Sequence, residues 1–324
     1  MKQLFGRFVK YLGTAAVAYV AFALLVGNLG LENRVPNTLN LTGEFDRSLL
    51  RFREAETSEP VDVVFLGSSH TYRGFDPRIF KAEGMSAFNL GSSAQTPLNS
   101  YRVIKRYIET LQPKVLVFES YWGVFESPNG SEASINIACN APASLDFLTM
   151  TLQSHDVRAV NSVLTNYGKR MLHPLTQAQQ IDFGRDVYVQ GGYSETSRPS
   201  TARAEVAKLK PFSSSIAQVQ VDYLEEIVEL CKANDCQVVL ARTPVTKEYF
   251  ENLENYEEVT EPIQAFAQRH ELLFHDFNLD MQSGALQLDT EAHFYDKNHL
   301  NQAGVEVFNP FLIEWMKEKG LTPK

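Results

Sequence analysis

Val61-Asp62-Val63-Val64-Phe65-Leu66-Gly67-Ser68-Ser69-His70-Thr71 is the stretch that decides the predicted fold. Its apolar part is rich in β-branched and aromatic residues and ends abruptly at a glycine and two serines, which is typical of a buried strand followed by a tight turn. In open parallel sheets, ligands bind beyond the carboxyl ends of the strands. A small hydroxyl just past this strand end is therefore a candidate nucleophile.

Four further strand-like segments follow, and each lies next to a segment in which apolar residues recur at helical spacing. The predicted strands after the first are residues 86–91, 114–119, 237–242 and 272–277. The predicted helices are residues 77–84, 97–111, 213–233, 257–269 and 302–317. Strands that alternate with helices are typical of a parallel sheet covered on both faces. We therefore predict a three-layer α/β domain over residues 61–324, with a sheet of about five parallel strands.

The alternation is lost between about residues 126 and 212. A helix is predicted at 153–171, and Gly191-Gly192-Tyr193 is most simply a turn, because no Lys-Ser or Lys-Thr partner indicates a phosphate loop. A loop of this length without secondary structure is uncommon in a compact domain. We expect a largely helical insertion carried above the sheet.

The N-terminus predicts a membrane anchor. Residues 11–29 hold no charged side chain, and their length suits a helix that spans a bilayer. Three basic residues precede this run, so the positive-inside rule places the N-terminus in the cytoplasm and the rest of the chain outside. A cleaved signal peptide or a buried core helix is the alternative. We expect an anchor unit over 1–30, a linker with some helix over 31–60 and a single-pass protein of a bacterial cytoplasmic membrane.

Charge limits the classes of partner. The 324 residues carry a formal net charge of −9, and beyond residue 30 there are 27 basic and 39 acidic residues. A nucleic-acid binder needs a basic surface to displace counterions from phosphates. The sequence therefore excludes nucleic acid as an expected partner.

The three cysteines are only weakly informative. Cys231 and Cys236 are close in sequence and are able to pair in an oxidising compartment, which would leave Cys139 over. Two unpaired buried thiols are an equal alternative, because spacing alone does not establish disulfide geometry.

A serine nucleophile needs a base that takes its proton and a third group that orients the base. Asp296 and His299 supply such a pair on the loop before the last predicted helix. His275-Asp276 is a rival base and acid at the end of the fifth strand. His293, Asp296 and His299 do not have a standard metal-ligand spacing, so we expect no metal and no cofactor.

Gly67-Ser68-Ser69 after a strand, together with Asp296-x-x-His299-Leu300-Asn301 near the C-terminus, resembles the SGNH (GDSL-type) hydrolase superfamily. The resemblance implies a flavodoxin-like sheet, with Ser69 as nucleophile, His299 as base and Asp296 as its partner. Ser68 stands where the family has an aspartate.

The family's other two blocks are less well matched. Asn89-Leu90-Gly91-Ser92-Ser93-Ala94 is similar to the second block, which implies oxyanion donors at the N–H groups of Ser69 and Ala94. The third block, Gly-x-Asn-Asp, is replaced by Glu119-Ser120-Tyr121-Trp122-Gly123, where Ser120 or Tyr121 would have to supply the side-chain donor.

Two neighbouring side chains are candidates for the pocket wall. His70 adjoins Ser69 but is poorly placed to turn back onto it, so we interpret it as pocket lining or structural. Trp122 either lines an acceptor groove or packs under the insertion.

Within the superfamily, the anchor and the Gly-Ser-Ser turn are similar to the D-alanyl teichoic-acid transfer proteins and the alginate O-acetyltransferase type. That similarity implies a serine-dependent acyl-ester hydrolase or O-acyltransferase that acts on an extracytoplasmic polysaccharide. A glycan or acyl donor, and a membrane-bound O-acyltransferase, would be its partners. The alternative is a non-catalytic SGNH-like scaffold that binds glycan or such an acyltransferase.

Overall fold

The structure is a computed structural model that describes residues 1–39, 41, 47–172 and 186–322. The rest of the predicted linker and the central part of the predicted insertion lie outside the described residues.

Fifteen helices and seven strands are formed within the described residues, together with a 3-10 turn at Trp122–Phe125. The helices are α1 Lys2–Asn28, α2 Ser48–Ala55, α3 Ser69–Gly74, α4 Pro77–Ala82, α5 Pro97–Leu111, α6 Ser131–Asn140, α7 Leu145–Gln153, α8 Val157–Leu172, α9 Ala202–Val206, α10 Gln218–Lys232, α11 Lys247–Glu251, α12 Tyr256–Arg269, α13 Phe277–Ser283, α14 Thr290–His293 and α15 Gln302–Glu318. The strands are β1 Val63–Leu66, β2 Ala87–Asn89, β3 Val115–Glu119, β4 Asp186–Val189, β5 Tyr193–Thr196, β6 Gln237–Arg242 and β7 Leu273–Asp276.

The main sheet has five parallel strands in the order β2-β1-β3-β6-β7. This is the flavodoxin-like order, and it confirms the predicted fold class. The order reverses between β1 and β3, where Val63 pairs with Val115 and Leu66 with Phe118. In folds of this kind the crevice beyond the carboxyl ends of those two strands is the usual ligand site.

The residues of β1 are divided between two cores because successive side chains of a strand point to opposite faces. Val64 and Leu66 pack with apolar residues of α5, α6, α10 and α12 on one face. Val63 and Phe65 pack with residues of α4, α13 and α15 on the other. All four side chains are fully buried, so β1 is the centre of the three layers.

The predicted helix at 213–233 begins only at Gln218. Three serines precede it, and serine side chains compete with a helix by bonding nearby polar groups. Ser214 does so: its N–H donates to Asn255 Oδ1 at 3.0 Å, and its hydroxyl donates to Glu126.

The described part of the predicted linker at 31–60 contains α2, which is part of the domain. Phe52 and Ala55 are buried in the core beside α5. Arg51 is buried too, and its Nε donates to the carbonyl of Gly192 at 2.7 Å. The guanidinium thus ties α2 to the hairpin of β4 and β5.

The insertion is helical in α6, α7, α8 and α9, and it also contains the antiparallel β4–β5 hairpin, which was not predicted. Gly191 and Gly192 form the turn of this hairpin, as the sequence indicates. The carbonyl of Gly191 accepts the N–H of Asn89 at 2.7 Å, so the turn covers the outer edge of β2. An edge strand covered in this way is protected from pairing with another chain.

α1 is long and apolar enough to cross a membrane, and most of its side chains are exposed, unlike those of a core helix. The C-terminal end of α1 packs so closely against α8 that the backbones of the two helices are in contact. A Cβ on Gly27 would lie 1.7 Å from the carbonyl oxygen of Thr165, and one on Gly168 would lie 2.1 Å from that of Leu24. Only glycine fits at either position, so the helix is held against the insertion.

The three cysteines are free and buried. A hydrogen bond with Cys236, together with burial, raises the pKa of the Cys231 thiol. The Cys231 thiol therefore stays protonated beside Cys236, and the two cysteines form no disulfide.

Candidate active site

The turn from β1 into α3 presents Ser69. Gly67 has φ +150°, and a Cβ there would lie 2.5 Å from Thr71 Oγ1 and 3.0 Å from Glu119 Cβ, so this position requires glycine. Ser68 is the N-cap of α3, and its hydroxyl accepts the N–H of His70 at 3.4 Å. Ser69 is the first residue of the helix and is only partly buried.

The loop that carries His299 is closed by backbone hydrogen bonds. Tyr295 N–H donates to the carbonyl of His299 at 2.8 Å, and Asn301 caps α15 by accepting the N–H of Gly304. Inside the loop, Asp296 Oδ1 accepts the N–H groups of Asn298 and His299 at 3.0 and 2.8 Å. This fixes the carboxylate beside the imidazole before any substrate binds.

The structure brings the three predicted catalytic side chains together. Ser69 Oγ lies 2.7 Å from His299 Nε2, and His299 Nδ1 lies 2.9 Å from Asp296 Oδ2. An ionised carboxylate only accepts hydrogen bonds, so the imidazole proton sits on Nδ1. Nε2 is then left as the acceptor for the Ser69 hydroxyl, which is the arrangement of a serine activated by a base.

Asp296 stays ionised in this setting. Its burial acts to raise the pKa, but hydrogen bonds from the His299 side chain and from the Asn298 and His299 backbone outweigh it and lower the pKa to about 2. The carboxylate is therefore negative at neutral pH and favours a positive charge on the imidazole.

A cavity of about 490 Å³ opens over Ser69 and His299. Ala94, Thr96 and Tyr121 contribute to its wall, and Glu126 and Glu132 are its acidic residues. It lies beyond the ends of β1 and β3, at the reversal of strand order.

His70 lies in the wall of this cavity, as the lining prediction has it. Its ring stacks on the His299 ring with centroids 4.7 Å apart and lies 4.1 Å from the Tyr121 ring. Burial and the neighbouring His299 lower the pKa of His70 well below its usual value. His70 is thus a neutral imidazole that supports the ring of the candidate base.

Glu119, at the end of β3, was not singled out from the sequence. Its side chain is fully buried. Oε1 accepts the N–H of Tyr121 and the hydroxyl of Thr243, both at 3.0 Å, and Oε2 lies 3.5 Å from Ser68 Oγ. Burial raises its pKa to about 7 despite these hydrogen bonds. One feature of the sequence could have drawn attention to Glu119: it is an acidic residue at the end of an otherwise apolar predicted strand.

Ser69 and Ala94 both line the cavity, and their backbone N–H groups make no hydrogen bond to a described residue. Ala94 has φ +51°, a left-handed conformation that is strained for a residue with a Cβ. These groups are the candidates for holding an oxyanion.

The structure does not bring Ser120 to the site. Its N–H donates to the carbonyl of Ala241 at 2.8 Å as β3 continues alongside β6. Its side chain is fully buried and does not line the cavity. The expectation that Ser120 is an oxyanion donor was therefore wrong.

The lining role predicted for Trp122 was also wrong. The 3-10 turn at Trp122–Phe125 directs the indole inward, where only 1% of the residue is exposed. The ring packs with Phe250 and lies under the buried guanidinium of Arg242. The Cζ atom of Arg242 is 5.5 Å from the centroid of the indole ring. The alternative prediction, packing under the insertion, is replaced by packing between β6 and α11.

The rival pair His275-Asp276 is not assembled. Asp276 forms a buried ion pair with Arg242 at 2.8 Å, while His275 Nε2 lies 2.7 Å from Asp280 instead. In the part of the chain that the structure describes, no three His, Cys, Asp or Glu side chains are grouped to hold a metal ion.

Neither a protein-family model nor a curated protein matches the chain. Among solved structures, a protein described as an acylhydrolase from Bacteroides fragilis is 18% identical, with a TM-score of 0.43 and coverage of 86% of this chain and 100% of that one. A GDSL-like lipase from Bacteroides thetaiotaomicron is 14% identical (TM-score 0.42, coverage 82% and 95%). A lipase/acylhydrolase from Enterococcus faecalis is also 14% identical (TM-score 0.41, coverage 82% and 98%). Similarity at this level carries no argument about activity, which rests on the geometry of the site.

Proposed function

We propose that this protein is a serine-dependent acyl-ester hydrolase or O-acyltransferase that acts on an extracytoplasmic, cell-surface polysaccharide. One observation carries the chemical part of the proposal: Ser69 Oγ is 2.7 Å from His299 Nε2, and Asp296 is 2.9 Å from the other ring nitrogen. A hydroxyl, a base and an orienting carboxylate in a row are what acyl transfer requires.

The first half-reaction forms an acyl-enzyme. Ser69 Oγ attacks the ester carbonyl carbon while His299 Nε2 takes the hydroxyl proton. The N–H groups of Ser69 and Ala94 donate to the oxyanion. The C–O bond of the ester then breaks, and the imidazolium returns its proton to the departing alkoxide, so that an alcohol leaves and the acyl group stays on Ser69.

The second half-reaction reverses these roles with a new alcohol or with water. His299 takes a proton from the incoming hydroxyl, the hydroxyl oxygen attacks the acyl carbon, and the proton passes back to Ser69 Oγ as the ester to serine breaks. A sugar hydroxyl gives transfer and water gives hydrolysis. Neither route needs a metal or a redox cofactor.

The cellular part of the proposal rests on α1. Its length and apolar surface, with Lys2, Arg7 and Lys10 on the N-terminal side, favour a single-pass anchor with the N-terminus in the cytoplasm. The site would then face cell-surface glycans. A membrane-bound O-acyltransferase as the source of the acyl group stays a prediction from the resemblance.

A fluorophosphonate probe, which reacts with activated serines, tests the proposal on the full chain in detergent. Wild-type protein should label, and Ser69→Ala should not. Ser283→Ala is the matched control, because Ser283 is an exposed serine whose hydroxyl donates to the Asp280 carbonyl far from the cavity. Mass spectrometry of an acyl group on Ser69, chased with glycan or with water, then separates transferase from hydrolase.

The scaffold alternative makes the opposite forecast. If wild type and Ser69→Ala label equally, or if neither labels, the nucleophile assignment fails and a binding role for the domain is favoured.

A further inference from the structure

The cavity over Ser69 has an unusual balance of charge. Among the residues that the structure describes, its lining includes two exposed carboxylates, Glu126 and Glu132, and no lysine or arginine. Exposed glutamates are ionised at neutral pH. A cleft lined by one sign of charge focuses its field on any group that enters. An anionic substrate would therefore meet repulsion at the point where it approaches Ser69.

No cation among the described residues of the wall offsets these carboxylates. The low pKa of His70 leaves its imidazole neutral. Lys297, on the His299 loop, has its Nζ over the ring of Tyr249, 5.5 Å from the centroid, and is not part of the lining.

The carboxylates suit a substrate with hydroxyl groups. Glu126 has one oxygen, Oε1, occupied by the Ser214 hydroxyl, and its second oxygen makes no hydrogen bond to a described residue. A carboxylate that accepts from a hydroxyl forms a charge-assisted bond, which is stronger than a neutral one. Glu126 and Glu132 together are complementary to a group with several hydroxyls and no negative charge.

We propose that the sugar unit that gives or receives the acyl group at Ser69 is uncharged, and that Glu126 and Glu132 exclude polyanionic polymers from the cavity. This inference rests on the proposed function and narrows it. It sets the protein apart from enzymes of anionic glycans such as teichoic acid or alginate.

Three acetylated sugars of one shape test the proposal on the full-length protein in detergent. They are methyl tri-O-acetylglucoside, the corresponding glucuronide with a free carboxylate, and the corresponding 6-amino-6-deoxyglucoside with an ammonium group. The readouts are acetyl-Ser69 by mass spectrometry and kcat/KM for acetate release. We expect the glucoside to exceed the glucuronide by about tenfold or more at low salt, because like charges that face each other are strongly disfavoured.

The double variant Glu126→Gln/Glu132→Gln should bring the glucoside-to-glucuronide ratio close to one. Salt near 1 M should reduce the wild-type ratio in the same direction, because it screens charges beyond about 3 Å. Glu226→Gln/Glu229→Gln is the matched control, because these glutamates are exposed on α10 and do not line the cavity. The control should keep the wild-type ratio.

The outcomes separate the two proposals. If wild type forms no acetyl-Ser69 from any of the three sugars or from 4-nitrophenyl acetate, the proposed function fails. If acetyl-Ser69 forms but glucoside and glucuronide react equally, or if the double variant keeps the wild-type ratio, the inference about charge is overturned. A strong preference for the amino sugar over the glucoside would overturn it too, because the cavity would then select a cation.

Discussion

Two histidine–carboxylate pairs of the described residues lie beside cavities of similar size. His299, the partner of Asp296, borders a cavity of about 490 Å³, and His275 and Asp280 border one of about 460 Å³ at the far edge of the sheet, beside β7. In both pairs a ring nitrogen lies within hydrogen-bonding distance of the carboxylate, at 2.9 and 2.7 Å. By that measure alone they would be equivalent.

The difference lies at the other nitrogen and in the surrounding groups. His299 turns Nδ1 to its carboxylate and Nε2 to Ser69, whereas His275 turns Nε2 to Asp280 and packs its ring against Phe277 and Trp315. No serine, threonine or cysteine lines the described cavity at His275. A hydrogen-bonded histidine and aspartate are therefore not enough to indicate an active site. The Ser69 hydroxyl at the second nitrogen of His299 is what distinguishes this pair from His275 and Asp280.

The largest expected effect is the difference in activity between two variants, each of which lacks one of these histidines. His299→Ala should lower kcat/KM for 4-nitrophenyl acetate by about 10²- to 10⁴-fold, which is the usual contribution of a general base. His275→Ala should change it by less than about threefold, because it removes a histidine of the same kind far from Ser69.

Thermal unfolding of both variants is the control for this prediction. Equal losses of activity in the two variants, with both proteins folded, would contradict the assignment of His299 as the base.

A smaller effect distinguishes the carboxylates. Asp280 is partly exposed, whereas Glu119 behind Ser68 is fully buried with a pKa of about 7. A folded-state pKa above the unfolded value of 4.5 means that the folded protein holds the proton more tightly. This contribution to stability is complete below about pH 4.5 and is lost as pH rises through 7, up to about 3 kcal/mol in total.

Glu119→Gln imitates the protonated side chain, so it should remove this pH dependence. Urea unfolding at pH 5 and pH 8 measures it: wild type should lose stability relative to Glu119→Gln at the higher pH. A wild-type protein that is equally stable relative to Glu119→Gln at both pH values would refute the prediction.

The smallest expected effect concerns backbone strain, which is present at one cavity and absent from the other. Ala94 lines the first cavity with φ +51°, whereas none of the residues that line the second has a positive φ. Ala94→Gly should raise the free energy of unfolding by about 0.5–1 kcal/mol, because glycine adopts this conformation without steric cost.

Ala265→Gly is the matched control for that variant. Ala265 is exposed in the interior of α12, where glycine is less favourable than alanine, so stability should fall by about 0.5–1 kcal/mol. Shifts of the same sign in the two variants would mean that Ala94 is not strained.

The parts of the site that the sequence predicted are those that depend on local pattern. Gly67-Ser68-Ser69 ends a strand, and Asp296 and His299 are three residues apart on one loop, so each half is visible by itself. The parallel topology then brings the halves to one edge of the sheet, because βαβ units align the carboxyl ends of their strands.

The parts that the sequence did not predict depend on neighbours distant in the chain. The orientation of Trp122 follows from Arg242, which lies in β6 and is fully buried between several rings. The importance of Glu119 follows from Thr243 and Ser68, which meet it only after β3 and β6 have paired. The spacing of residues along the chain does not reveal either of these contacts.

The same reason explains the hairpin and α2. β4 is described from Asp186 onward, and the hairpin is held by the buried Arg51 of a helix that lies well before it in the chain. Local pattern favoured a linker with some helix at 31–60 and helix in the insertion. Tertiary packing buries the helix Ser48–Ala55 in the domain and forms a hairpin at Asp186–Thr196.

The glycine crossing of α1 and α8 has a kinetic consequence for the protein in its proposed topology. If α1 is the membrane anchor, as proposed, its backbone contact with α8 fixes the domain relative to the bilayer. The candidate nucleophile Ser69 would then be held at one height above the lipid. Encounters with substrate are then governed by lateral diffusion in the plane of the bilayer. Turnover would follow the surface density of the glycan rather than its bulk concentration.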